Sequence, residues 1–153
     1  MNIMIGSDHG GYLLKEDVSE YLRGKGYTVH DVGTYSEESC DYPEIAAEGC
    51  ERILSGKDEL GILICGTGAG ISIAANKIKD IRAACCSDVF TAEYIRRHND
   101  ANILCFGGRV VTPETAFKLV DAFLGAKFEG GRHERRVNEI KALEECFGHT
   151  YDE

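Results

Sequence analysis

Residues 61–77, GILICGTGAGISIAANK, lead an apolar run to a thiol and then into a glycine-rich turn. Cys65 closes the run, glycines stand at 66, 68 and 70, and a helical pattern follows. Glycines let backbone N–H groups approach a bound atom closely, and a helix start adds partial positive charge. Together these stabilise a developing oxyanion and favour the thiolate form of a neighbouring cysteine. Cys65 is therefore a candidate base or nucleophile, with Gly66, Thr67, Gly68, Ala69 and Gly70 as the loop around it. The plain alternative is a buried strand-end cysteine that packs as a small hydrophobe. A nucleotide cradle is the other. The loop is not a Walker A, because no Gly-Lys-Ser/Thr follows, and Ile71 occupies the last position of a G-x-G-x-x-G. Asp88 does stand about 20 residues further on, where a ribose-binding acid would be expected. Against it, a nucleotide fingerprint normally lies on the first strand, and that turn here reads SDHGG.

Two other stretches carry side chains of chemical interest. In IRRHNDAN (95–102), His98 ends a helical pattern just before a strand. It is a candidate general acid with Asn99 as a polar orienter; the plain reading is a helix cap. In EGGRHERRV (129–137), Arg132 and Arg136 lie four apart, on one helix face. With Arg109 they suit a phosphate monoester; the plain reading is a solvated charged face. HERR is no zinc motif, since no second histidine follows at the needed spacing. No metal or cofactor signature is evident.

The elements that must position these groups alternate. Apolar runs at 2–7, 27–33, 60–65, 81–86 and 102–108 read as strands. Helical patterns fill 11–24, 43–56, 70–78, 88–97, 113–126 and 133–147. Strands this apolar are covered on both faces, which predicts a parallel sheet between helix layers. Ligands of such sheets bind beyond the carboxyl ends of the strands, at a switch point of the strand order. That rule selects Ser7-Asp8-His9, Cys65 with its loop, and Gly107-Gly108-Arg109. If the first and third strands are neighbours, Asp8, His9 and Cys65 share one cleft. The segment after Gly125 reads as an extension suited to packing on a partner subunit.

The chain has 153 residues, 43% of them hydrophobic, which fits one globular domain over 1–153. Its formal net charge of −9 argues against a general nucleic-acid binder. Seven cysteines, an odd count without a C-x-x-C pair, argue against a disulfide framework and fit a reducing, cytoplasmic setting. Neither a signal peptide nor a membrane-spanning run is seen.

With these residues in view, the chain resembles the type B ribose-5-phosphate isomerases over nearly its whole length. That family is shared with galactose-6-phosphate and allose-6-phosphate isomerases. The matching stretches are GSDHGG, DYP, GILICGTGAGISIAANK, IRAACCSD, RRHNDAN, FGGRVV and FEGGRHERRV. The resemblance implies a three-layer α/β/α Rossmann-like sandwich with a five-stranded parallel sheet. It implies a homodimer or dimer of dimers with active sites at the interface, and a C-terminal helix, about 133–147, packing there. Carried over, Cys65 is the proton-shuttling base with Thr67 beside it, and His98 is the ring-opening acid. Asp8, His9 and Asn99 contact the sugar. Arg109, Arg132 and Arg136 hold the phosphate, with His9 and His133 as helpers, and Tyr42 lines the pocket. Some relatives use an acid on the following helix in place of the cysteine; residues 71–77 here contain no Asp or Glu. The resemblance implies a small sugar phosphate as substrate, and no cofactor. A hexose 6-phosphate isomerase and a non-catalytic nucleotide- or sugar-phosphate-binding module are the alternatives.

Overall fold

The computed structural model describes residues 1–148; the acidic tail from His149 to Glu153 lies outside them. The strands are β1 (Asn2–Ser7), β2 (Thr28–Asp31), β3 (Leu60–Cys65), β4 (Ala83–Cys85) and β5 (Ile103–Gly107). They pair in parallel in the order β2-β1-β3-β5-β4. The helices are α1 (Tyr12–Gly24), α2 (Tyr42–Leu54), α3 (Ala69–Ala75), α4 (Val89–Arg97), α5 (Pro113–Gly125) and α6 (Arg132–Phe147).

Alternation along the strands divides the core in two. Ile3, Ile5, Ile62, Ile64, Leu104 and Phe106 face α1, α4 and α5. Met4, Leu63, Cys65, Ile103 and Cys105 face α2 and α3. The result is the expected α/β/α sandwich with a five-stranded parallel sheet. From β1 the chain adds β2 on one side and then crosses to β3 on the other. The strand order therefore reverses between β1 and β3, and the cleft at such a reversal opens beyond their carboxyl ends.

Three elements are shorter than the sequence pattern predicts, each for a local reason. β2 stops at Asp31 because Gly33 turns the chain with φ +99° and the Asp31 carboxylate takes the Gly33 N–H at 2.8 Å. α3 stops at Ala75 because the Asn76 side chain leaves the helix to bond the Ala83 N–H and C=O, at 2.8 and 2.7 Å. β4 begins only at Ala83 because Asn102 occupies Arg82: its Oδ1 accepts the Arg82 N–H at 2.8 Å. Asn76 also caps an edge strand whose backbone would otherwise be open to pairing.

α6 stands apart from the sandwich. Only His133 and Val137 on it are buried, while Ile140, Leu143 and Phe147 are exposed. A groove of about 1100 Å³ separates this apolar stripe from Ile78, Ile81 and Ala101. Among the described residues no helix is long and apolar enough to cross a membrane, and all seven cysteines are free.

Candidate active site

The β1–β3–β5 register brings three strand ends to one level: Ser7 pairs with Ile64, and Cys65 with Gly107. Backbone bonds lace the exits together. The Asp8 N–H donates to Ile64 O at 3.1 Å, the Gly108 N–H to Cys65 O at 2.8 Å, and the Arg109 N–H to Gly66 O at 3.0 Å.

Cys65 is buried, and its Sγ accepts the Gly68 N–H at 3.2 Å. Gly68 can present that N–H only as glycine. Its φ is +84°, and a Cβ there would lie 2.7 Å from the Phe106 carbonyl carbon. Thr67 is exposed and its Oγ1 accepts the Ala69 N–H at 3.2 Å, which fixes the entry to α3. The Tyr42 phenol lies over Gly70, whose added Cβ would meet Tyr42 Cζ at 2.7 Å. The Arg109 guanidinium lies over Gly66, with Nη1 3.1 Å from where a Cβ would stand.

Asp8 caps the turn that follows β1: its Oδ1 accepts the Gly10 and Gly11 N–H groups at 2.9 and 3.2 Å. His9 Nδ1 accepts the Cys40 N–H at 3.2 Å. The neutral ring must then carry its proton on Nε2, which leaves His9 a donor toward the cleft. Cys85 lies behind the loop. Its thiol donates to Thr67 O at 3.6 Å, and burial, followed by Cys65 nearby, pushes that thiol up.

The remaining candidates lie at the other end of the sheet. His98 caps the carboxyl end of α4, and Asn99 and Asp100 carbonyls accept from Arg82 Nε at 3.2 and 3.0 Å. That turn feeds the start of β5, where Gly61 N–H donates to Asn102 O at 2.9 Å. Gly61 and Cys65 are the second and last residues of β3's buried face, so the two ends lie about 13 Å apart along the strand. The His133 ring stacks on that of His98 with centroids 4.0 Å apart. Arg132 and Arg136, both exposed on α6, therefore belong to the His98 end. Glu129 joins them, with Oε2 3.6 Å from His98 Nε2 and Oε1 4.0 Å from His133 Nε2. The Arg97 hydrogen bond at 2.6 Å holds the Glu129 carboxyl below the usual range. Loss of solvation, then the neighbouring His98 and Arg132, holds the His133 imidazole below its ordinary value.

Within one chain, then, Cys65, the 66–70 loop, Asp8, His9, Tyr42 and Arg109 come together. His98, Asn99, Arg132, His133 and Arg136 form a second cluster. Glu129 was not singled out by sequence pattern; its place four residues before His133 was the available signal. Asp88 caps α4, accepting the Thr91 N–H and hydroxyl, each at 2.8 Å.

A parallel sandwich with a thiol and a glycine loop at its switch point, and with basic side chains and a histidine to complete it, defines a sugar-phosphate isomerase scaffold. The chain belongs to the Ribose/Galactose Isomerase family, whose pattern matches residues 3–140. It is 50% identical over 143 residues to ribose-5-phosphate isomerase B of Escherichia coli, covering 94% of this chain and 96% of that one. The structure of Clostridium thermocellum ribose-5-phosphate isomerase B superposes with a TM-score of 0.95 at 50% identity, over 96% of this chain and 99% of that one. Mycoplasma genitalium ribose-5-phosphate isomerase B, solved with bound ribulose 5-phosphate, gives 0.89 at 45% identity, over 94% and 96%.

Proposed function

We infer that this chain interconverts D-ribose 5-phosphate and D-ribulose 5-phosphate through a cis-enediolate. The observation that carries the chemistry is the Gly68 N–H directed at Cys65 Sγ. A proton from His98 to the ring oxygen opens the sugar. The Cys65 thiolate takes the C2 proton, and the charge that develops on oxygen is met by loop N–H groups. The same sulfur returns the proton to C1 as the O2 hydroxyl proton passes to O1, so one base serves both carbon transfers, C1 is reduced as C2 is oxidised, and the isomerisation is redox-neutral. Asp8, His9 and Asn99 hold sugar hydroxyls. Arg109, Arg132 and Arg136 hold the phosphate, with His133 assisting, and Tyr42 walls the pocket. Binding energy from the phosphate, remote from C1 and C2, positions those carbons over sulfur.

The working unit is a homodimer in which each site is composite. One chain contributes Cys65, its loop, Asp8, His9, Tyr42 and Arg109. The second contributes His98, Asn99, Arg132, His133 and Arg136. Two features support this reading. The clusters lie at opposite ends of one sheet, too far apart to share a substrate. Each also borders unpaired apolar surface: Phe90 and Val110 around the Cys65 end, and Ile140, Leu143 and Phe147 on α6. A two-fold dimer pairs two such unlike patches reciprocally, and exposed apolar groups of this kind mark interfaces.

The deciding experiment compares rates on ribose 5-phosphate, allose 6-phosphate and galactose 6-phosphate with the purified protein. Ribose 5-phosphate is expected to be turned over fastest. A faster hexose phosphate would replace the substrate assigned above, and binding without turnover of any of the three would leave only a binding module.

A further inference from the structure

The second cluster holds more donor chemistry than a ring-opening acid requires. His98, Glu129 and His133 each offer one ligand atom, and all three atoms lie within 4.8 Å of one another. Two imidazoles and a carboxylate are a donor set that zinc accepts, with one position left open. We propose that His98, Glu129 and His133 form an inhibitory binding site for a divalent cation of the zinc type.

The geometry is close to what such an ion needs. Bonds near 2.0–2.1 Å in a tetrahedron place donors about 3.4 Å apart. Glu129 Oε2 stands 3.6 Å from His98 Nε2 and Oε1 4.0 Å from His133 Nε2, and one ligand atom taken from each residue gives a set within 4.8 Å. Contraction around the ion therefore takes side-chain rotation that opens the ring stack of His98 on His133. Glu129 lies in the segment leading into α6 and His133 in its first turn, joined by the Gly130-Gly131 bend, so the ion closes a chelate across the entry to the helix. Arg97 Nε donates to Glu129 Oε2 at 2.6 Å, a supporting hydrogen bond of the kind ligating carboxylates commonly have, and leaves Oε1, the oxygen nearer His133, as the free ligand atom. The positive charge of Arg97 and of the adjacent Arg132 opposes a cation, so the site binds reversibly and does not retain a resident metal. Imidazole and carboxylate donors select zinc-like ions over magnesium or calcium.

The inhibitory consequence rests on the role given above to His98; the binding does not. An imidazole with one nitrogen on a metal has only the other left for a proton. It can no longer cycle between imidazolium and imidazole, so it cannot deliver a proton to the ring oxygen and recover it.

The test titrates the protein with cobalt(II), read by visible absorption, and measures isomerase inhibition by zinc(II) with reversal by a chelator. Cobalt should give a tetrahedral d–d spectrum without thiolate-to-metal charge transfer. The Glu129 side chain is 36% exposed, so Glu129→Gln leaves the core untouched. That change should weaken cobalt binding at least about tenfold and weaken zinc inhibition, measured against the variant's own rate, by a similar factor. An absent cobalt spectrum overturns the site. So does a charge-transfer band, or equal zinc inhibition of both proteins, because either places the metal on Cys65 or Cys85. Cobalt binding by a protein that isomerises no sugar phosphate leaves the metal site standing and removes the catalytic reading alone.

Discussion

The two ends of the sheet are built by different means. At the carboxyl end Cys65, Asp8 and His9 are each held by backbone. Gly68 N–H meets Cys65 Sγ, Gly10 and Gly11 N–H groups meet Asp8, and Cys40 N–H meets His9. At the amino end His98 is held by a ring stack and by charged side chains that are themselves about one-third exposed. Backbone donors enforce geometry to a few tenths of an ångström, as a proton-abstracting sulfur needs. Surface side chains supply reach and charge, and gain definition when a second surface covers them. The difference fits a site assembled from two chains, with the rigid half in one and the adaptable half in the other.

The largest effects should come from separating those halves. Cys65→Ala and His98→Asn are each expected to lower kcat by about 10²–10⁴-fold while leaving the circular dichroism spectrum and urea midpoint close to wild type. If each site draws on two chains, unfolding the two inactive variants together and refolding them restores activity. Half of randomly paired dimers are hybrids, and one of a hybrid's two sites is intact, so recovery approaches about a quarter of the wild-type rate. No recovery, with hybrids confirmed by native mass spectrometry, would place His98 and Cys65 in the same chain's site and break the comparison.

The next effect concerns what keeps the carboxyl end rigid. Lys15 is fully buried, and its ammonium donates to both Asp31 oxygens at 2.8 and 2.7 Å and to Thr34 O at 2.6 Å. The same loop bonds Ser7 at the exit of β1, through Ser7 N–H to Gly33 O at 2.7 Å and Thr34 N–H to Ser7 O at 2.6 Å. Lys15→Met would leave Asp31, whose side chain is 18% exposed, without its partner. A loss of about 3–5 kcal/mol by urea denaturation is expected. A loss below about 1 kcal/mol, the range of exposed ion pairs, would show that the loop holds without this clamp and that the rigidity lies in the strands alone.

Much of this arrangement was legible in the sequence, and what was missing has a common cause. Buried strands announce themselves as apolar runs, so β1, β3 and β5 fall within a residue or two of expectation. The position of Cys65 at the end of β3, beside the glycine loop, was legible because the apolar run stops there. The ends of β2, α3 and β4 were not, because side chains of Asp31, Asn76 and Asn102 set them by bonding backbone. His98 lies away from Cys65 because α4 returns from the carboxyl end of β4 to the amino end of β5, as the helix of a parallel crossover must. The alternation of elements carried that signal, while the pairing of β5 between β3 and β4 is long-range and left no local trace. The Lys15–Asp31 clamp spans sixteen residues and is invisible for the same reason.

The smallest effect separates two buried thiols at the same end of the sheet. Cys65 faces an N–H donor; Cys86, just past β4, does not, and burial followed by the nearby Asp88 pushes its thiol up to about 12. The folded state thus holds the Cys86 proton more tightly than the unfolded chain, whose thiol titrates near the ordinary 9.0. Stability from this source is complete below pH 9 and is lost as pH rises toward 12, since the unfolded chain releases its proton first. Cys86→Ala removes that linkage whatever it does to absolute stability. Between pH 9 and 12 the variant's stability should fall less steeply than wild type, by up to about 1.4 kcal/mol per pH unit. Tyrosines and lysines titrating in this range are common to both proteins and cancel in the difference of slopes. Parallel slopes would mean that Cys86 loses its proton as easily folded as unfolded, and the contrast between a thiol that meets an N–H donor and a thiol that burial keeps protonated would disappear.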